Sequence, residues 1–238
     1  MVRHFPARGG QMIKVNISHV YGNQETSDLQ IVKLSLDRNT PEDEALNNGW
    51  LLYGGEWYAS RSSRIRVADS PGDPHKVKGY RFEYSDSFNM TPEIRQVYEI
   101  YTRIRGFKQK YSIDGDADRS SSLLVYNGDA LVAFTKFIRY KNALESQITA
   151  WDYSDPKASI GRKIVGYEVA RARQLGVSHL YIGPCYGHGA KYKANFKGFE
   201  WFTGSEWSTD RARLFELLER DSAVKSIADL NQAFRSAI

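Results

Sequence analysis

Lys191, Lys193 and Lys197 fall within seven residues of one another, with Tyr192 and Phe196 between them and Tyr186 just upstream. Ammonium groups neutralise phosphates and aromatic faces stack on bases, so this spacing suits a nucleic-acid or nucleotide end. Ahead of it, Ser159-Ile160-Gly161 reads as a helix start with Ser159 as N-cap, and Arg162 and Lys163 occupy the first turn. Such a start presents unpaired N–H groups and the positive end of the helix dipole, a place for a phosphate or a carbonyl oxygen. Asp152 and Asp155 precede it, where local side-chain bonding is also what aspartate ordinarily does before helices. Arg64 and Arg66 would share one face of a strand; a substrate contact and a charged sheet edge are both consistent with that pattern. His188, between two glycines, reads as a surface histidine. Cys185 has no partner histidine at a diagnostic spacing, so a nucleophilic role is not expected.

Positioning those residues requires a sheet. Apolar residues recur at helical spacing from Ile160 to Ala172, and Gly176 marks the stop. A buried strand over Val177–Ile182 follows, ended by Gly183-Pro184, and Phe199–Thr203 is a further strand. Upstream, Ser122–Tyr126 and Ala130–Tyr140 flank Asn127-Gly128, which predicts a hairpin with a type I′ turn. Ser146–Trp151 adds a strand beside it. Thr91-Pro92-Glu93 opens a helix to about Phe107, and Thr209–Glu219 and Ser222–Phe234 read as helices. Nearer the N-terminus, 11–20 and 28–36 read as paired strands, 41–49 as a short helix and 50–58 as a strand interrupted by Gly54-Gly55. These elements predict an α+β fold with a mixed, mostly antiparallel sheet and flanking helices. The order of hairpin, strand, long helix, strand, helix and strand matches N-acetyltransferase-like folds. The turn-rich 69–76 segment suggests an N-terminal subdomain, 1–75, and a second domain, 76–238, that carries this N-acetyltransferase-like order.

With 238 residues, 41% hydrophobic and 26% charged, the chain has the composition of an ordinary globular protein. No apolar run reaches the roughly 20 residues that span a bilayer, and no secretory h-region is visible, so a cytoplasmic protein is expected. A single cysteine excludes an internal disulfide and a multi-cysteine zinc site. A net charge of +5 favours a polyanionic partner only mildly.

The run Ala190-Lys191-Tyr192-Lys193-Ala194-Asn195-Phe196-Lys197 resembles a signature of the arginyl-tRNA–protein transferases and their bacterial leucyl relatives. Trp151-Asp152-Tyr153-Ser154-Asp155-Pro156 with Ser159-Ile160-Gly161 is similar to that family's Asp-Pro segment and helix start. Val97-Tyr98-Glu99-Ile100-Tyr101 resembles its tyrosine-containing helix, and Glu44-Ala45-Leu46 with Gly49-Trp50 and Gly54 resembles its N-terminal glycine-tryptophan segment. The likeness runs in pieces from about residue 41 to 207. The family's paired N-terminal cysteines are missing from 59–64, where this chain has Ala-Ser-Arg-Ser-Ser-Arg.

The resemblance implies transfer of an amino acid from charged tRNA to an amine of a protein, peptide or small molecule. The ester is already activated, so neither ATP nor another cofactor, nor a metal, is implied. The enzyme must align amine and ester, remove a proton and stabilise an oxyanion. On this reading Ser159 and its helix start hold the oxyanion, and Asp152 or Asp155 orients or deprotonates the amine. Lys191, Lys193, Lys197, Arg162 and Lys163 contact phosphates, with Arg64 and Arg66 as further substrate contacts. Tyr186, Tyr192 and Phe196 stack the terminal bases. Two alternatives stand beside it. One is an acetyl-CoA-dependent N-acetyltransferase, whose pyrophosphate-loop pattern fails here because Ala158 precedes Gly161 and Lys163 follows it. The other is a non-catalytic RNA-binding module on the same fold.

Overall fold

A computed structural model describes residues 2–6, 12–16, 32–33, 41–53, 56–71, 74, 77–104, 113, 119–152 and 159–223; for 2–6, 12–16, 32–33, 53, 56 and 58 it describes the backbone alone. Hydrophobic alternation and turn chemistry build two sheets. In the first, β1 (Val2–Pro6), β2 (Met12–Asn16), β3 (Val32–Lys33), β5 (Glu56–Ala59) and β4 (Trp50–Tyr53) pair in that order, all antiparallel. The interrupted strand expected over 50–58 is therefore a hairpin, and β1 was not foreseen. A short helix, α1 (Glu42–Asn47), leads into β4.

The second sheet carries eight strands. Its antiparallel half runs β7 (Tyr80–Ser85), β8 (Ser120–Asn127), β9 (Ala130–Arg139) and β10 (Ala143–Trp151). From β10 the chain crosses through α3 (Ile160–Gln174) to β11 (His179–Pro184), which pairs with β10 in parallel. Beyond β11 lie β6 (Ser62–Arg66), β12 (Phe199–Phe202) and β13 (Trp207–Ser208), again antiparallel. Helix α2 (Pro92–Ile104) packs on β9 and β10, and α4 (Arg211–Ala223) follows β13. This is the expected α+β architecture: a mixed, mostly antiparallel sheet with flanking helices, with hairpin, strand, long helix and strand following one another as the sequence predicts. The main core lies between this sheet and α3, with Phe137, Leu144, Ile164, Val169 and Leu180 at its centre.

Several local readings shift. Asn127 pairs with Ala130, so Gly128 and Asp129 are the central turn residues. Gly128 has φ +59°, whereas Asp129 is not left-handed, the type II′ pattern instead of I′. β11 runs through Gly183 to Pro184 rather than ending before them, and α4 continues to Ala223. The helix expected over 222–234 lies mostly outside the described residues, as does most of 112–119. β6 is no edge: it is hydrogen-bonded to β11 and β12, so the charged-edge reading of its arginines does not apply. β6 precedes residue 75 yet lies inside the second sheet.

Candidate functional site

The parallel pairing of β10 with β11 covers only Ala143–Glu145 against His179–Tyr181. Past Glu145 and Tyr181 the two strands are no longer paired with each other, and this unpaired stretch toward their carboxyl ends is the gap between them. In an α/β crossover that end also receives the start of the connecting helix, here Ile160, and the loop leaving β11. Trp151, at the end of β10, packs against α3 so closely that a Cβ on Gly161 would lie 2.9 Å from its ring. Glycine is therefore required at 161 for strand end and helix start to meet.

The loop leaving β11 is a 3-10 helix over His188–Asn195. Ala190 and Ala194 bury one side of it. It is moored to α4: Gly187 N–H donates to Asp221 Oδ2 at 3.2 Å, and His188 N–H to Ser222 Oγ at 2.9 Å. Lys191 and His188 both pair with Glu219. Lys193 turns inward and donates from Nζ to the carbonyls of Ile182 (2.6 Å) and Pro184 (2.7 Å). β11 is irregular here, with Gly183 at φ +79° and a register shift against β6 between Tyr181 and Pro184, and the Gly183 carbonyl accepts from Ser63 Oγ on β6 at 2.7 Å. The Lys193 ammonium is thus drawn in against the end of β11, past the point where that strand is paired with β10, and not out to the surface.

Behind the gap is a group the sequence reading passed over. Glu168 of α3 is 1% exposed. Its Oε1 accepts from Thr135 Oγ1 (2.8 Å), Ser146 Oγ (3.0 Å) and Thr149 Oγ1 (3.1 Å). Burial raises its pKa, while the three hydroxyls and the charge of Lys193 pull the other way. The available signal was periodicity: Glu168 stands on the apolar row of Ile164, Val165 and Ala172, where a charge is out of place.

The other expected site residues scatter into distinct roles. Arg64 is buried, with Nε 2.8 Å from Glu200 Oε2 and its guanidinium 3.9 Å over the Trp207 ring, partners that hold it inside the protein. Arg66 is half-exposed and pairs with Asp69 and Glu200. Tyr186 is largely packed: its hydroxyl accepts Arg61 N–H at 2.7 Å and the Arg61 guanidinium covers its ring at 4.8 Å, so it does not present a stacking face. Tyr192 is exposed and meets half-buried Phe196 edge-on. Arg162, Lys163 and Lys197 are exposed. Lys197 lines a pocket of about 480 Å³ with Arg66, Asp69, Phe199, Thr209 and Arg211.

Ser159 does stand at the N-cap but with φ +50°, the one described non-glycine residue in the left-handed region, and its hydroxyl makes no cap bond. Its carbonyl accepts from Arg162 and Lys163, which leaves the first two amides, Ile160 and Gly161, without an intrahelical acceptor. Strained backbone of this kind is concentrated at functional sites. Asp152 anchors the end of β10 by donating its N–H to Val132 O at 2.8 Å. Asp155 lies outside the described residues, as does 153–158, where a pyrophosphate loop would run.

Two titrating groups limit the chemistry. Burial pushes the Cys185 thiol up to about 11, so it is no nucleophile near neutral pH. His179 is lowered to about 4 by burial and then by the charge of Arg64. It is neutral at pH 7. NMR titration of its ring is expected to show a midpoint near 4; a midpoint near 6.5 would mean the ring is solvated. Because the unfolded ring binds its proton first, this group costs stability as pH falls from about 6.5 toward 4.

Among the described residues, no group of three or more His, Cys, Asp and Glu is placed to hold a metal, and no helix is long and apolar enough to cross a membrane. No family model matches the sequence. Among solved structures the chain is similar to a GCN5-related N-acetyltransferase from Kribbella flavida, at 12% identity and TM-score 0.39, over 52% of this chain and 48% of that one. It thus spans about half the length of that protein. It is also similar to the C-terminal domain of a putative lysylphosphatidylglycerol synthetase from Agrobacterium fabrum, at 12% identity, TM-score 0.44, 78% of this chain and 71% of that one. The L-PGS from Bacillus licheniformis matches at 12% identity and TM-score 0.44, over 82% of this chain and 76% of that one. Likenesses of this size say nothing about substrate.

Proposed function

We propose that the protein transfers an amino acid from charged tRNA to an amine, with the gap between β10 and β11 as the place of transfer. The observation that carries this reading is the convergence at one end of the parallel pair. A strained helix start with spare amides, the inward ammonium of Lys193 and the basic 3-10 helix all meet there. Aminolysis of an ester needs those parts: donors for the tetrahedral oxyanion, a polar wall that orients the amine, and cations outside for the nucleic-acid backbone. The resemblance of the 190–197 run to arginyl- and leucyl-transferases supports tRNA as the donor. Ser159 holds the helix start in position, and Asp152 or Asp155 orients or deprotonates the amine. Arg162 and Lys163 are the outer phosphate contacts at the helix start, with Lys191 on the 3-10 helix; Lys197 and Arg66, at the His179 end of β11, contact phosphates further along the RNA, and Tyr192 and Phe196 form the stacking surface. The acceptor is a protein, peptide or small-molecule amine. A cytoplasmic setting, with its supply of charged tRNA, is part of this proposal.

Binding tests the donor. Affinity for charged tRNA, measured against salt concentration, is expected to fall in Lys197→Glu and Lys163→Glu, each lowering the salt slope by about 1. Lys193→Glu is expected to weaken binding indirectly, because two carbonyls at the gap lose their donor. Affinities at low salt equal to wild type for all three variants would remove tRNA from this surface.

A further inference from the structure

We propose that Glu168 receives the proton released by the attacking amine, through the hydroxyls of Ser146 and Thr149. This inference rests on the functional reading above and adds a residue and a path to it.

The path is built by a defect in β10. Ser146 pairs with Phe137 and Ile148 with Lys136, so Gln147 is an extra residue in the strand. In a regular strand Ser146 and Thr149 would point to opposite faces. The bulge rotates the strand so that both face α3, beside Thr135, which pairs with Thr149. Ser146 and Thr149 are partly exposed, whereas Thr135 and Glu168 are buried. The two hydroxyls therefore stand in front of the carboxylate, at the point where β10 and β11 part. Their oxygens are 3.0 Å apart, and each donates to the same carboxylate oxygen. A hydroxyl that donates its one proton keeps lone pairs to accept another. The pair is thus polarised to take a proton from the gap and pass one inward.

The step balances. The amine lone pair forms a C–N bond to the ester carbonyl carbon. An N–H proton moves to Oγ1 of Thr149 or Oγ of Ser146, as that hydroxyl's own proton moves to Glu168 Oε1. Collapse breaks the ester C–O bond, and the proton returns by the same path to the departing ribose oxygen. The charged or titratable groups facing Glu168 are Lys193 from the 3-10 helix and Tyr84 from β7. Burial raises the pKa of Glu168, which makes it a better proton acceptor than a surface carboxylate, while the three hydroxyls and then Lys193 oppose that rise.

The test is single-turnover transfer of labelled amino acid from charged tRNA to a peptide with a free N-terminus and to ethylamine, over a range of pH. Besides the limb that each amine's own pKa sets, wild type should show an acidic limb common to both acceptors and set by Glu168. Glu168→Gln keeps an oxygen for the hydroxyl donors and removes a buried charge. It should bind tRNA as wild type does, lose about 10²- to 10⁴-fold in transfer rate and lose that limb. Thr149→Val with Ser146→Ala should match it, and Thr149→Ser should restore most of the rate. An unchanged rate and limb in Glu168→Gln, with wild type active, would overturn the relay and leave the functional reading standing. A wild type inert with both acceptors would overturn both.

Discussion

Arg64→Ala is expected to destabilise the fold by about 3 kcal/mol, the low end of the range for breaking a buried ion pair. Arg64 and Glu200 are each about one-tenth exposed, so removing the cation leaves a carboxylate out of water. Arg66 remains 3.3 Å from the other oxygen of Glu200 and softens the loss. The change also empties space over the Trp207 ring and takes a donor from Tyr181 Oη and Asn47 Oδ1. Arg66→Ala, by contrast, breaks half-exposed pairs and should cost under about 1 kcal/mol. Urea denaturation of the two variants measures the difference. Equal, small losses would mean that Arg64 is solvated and available to a ligand.

Gly49→Ala is expected to cost about 2–5 kcal/mol, summing left-handed backbone strain with overpacking. Gly49 has φ +78° and closes α1 by donating its N–H to Leu46 O at 3.0 Å. A Cβ there would lie 2.1 Å from the Phe202 ring. Phe202 is 8% exposed and packs against Trp207, so it has little room to retreat. Gly49 also accepts Ser62 Oγ, which ties the first sheet to β6. A Tm equal to wild type would show that the two sheets meet loosely. The glycine-tryptophan segment thus has a physical reason: the glycine lets β4 approach β12.

Glu168→Gln is expected to keep or gain stability at pH 7. The folded protein holds this proton more readily than the unfolded chain, because burial raises the pKa. The stability the group contributes is therefore full below the unfolded pKa and is lost as pH rises through the folded one. Denaturation at pH 5 and 8 checks the sign. A large loss at both would make Glu168 a structural pillar.

Elements with strong local patterns were legible in the sequence. The β8–β9 hairpin, the amphipathic rows of α3 and the basic 190–197 run all carry their signal within a few residues. What was hidden depends on partners distant in the chain. β6 reads as a basic edge by itself; only its pairing with β11 and β12, and Glu200 across from Arg64, makes those arginines internal. Lys193 looks like its neighbours Lys191 and Lys197, yet carbonyls at the end of β11 draw it inward. Tyr186 is likewise claimed by Arg61, far upstream. Glu168 needs Thr135, Ser146 and Thr149, and the last two share a face only because of a one-residue bulge that alternation rules do not foresee.

The central claim is that the gap between β10 and β11 accepts an ester carried by RNA. The most direct measurement mixes the protein and an amine acceptor with total tRNA charged with labelled amino acids, and separately with labelled acetyl-CoA. Label passing from tRNA to the amine, abolished when the tRNA is first deacylated, is the predicted result. Label passing from acetyl-CoA instead would assign the gap to a coenzyme, and label passing from neither would leave an RNA-binding module; either would contradict the account.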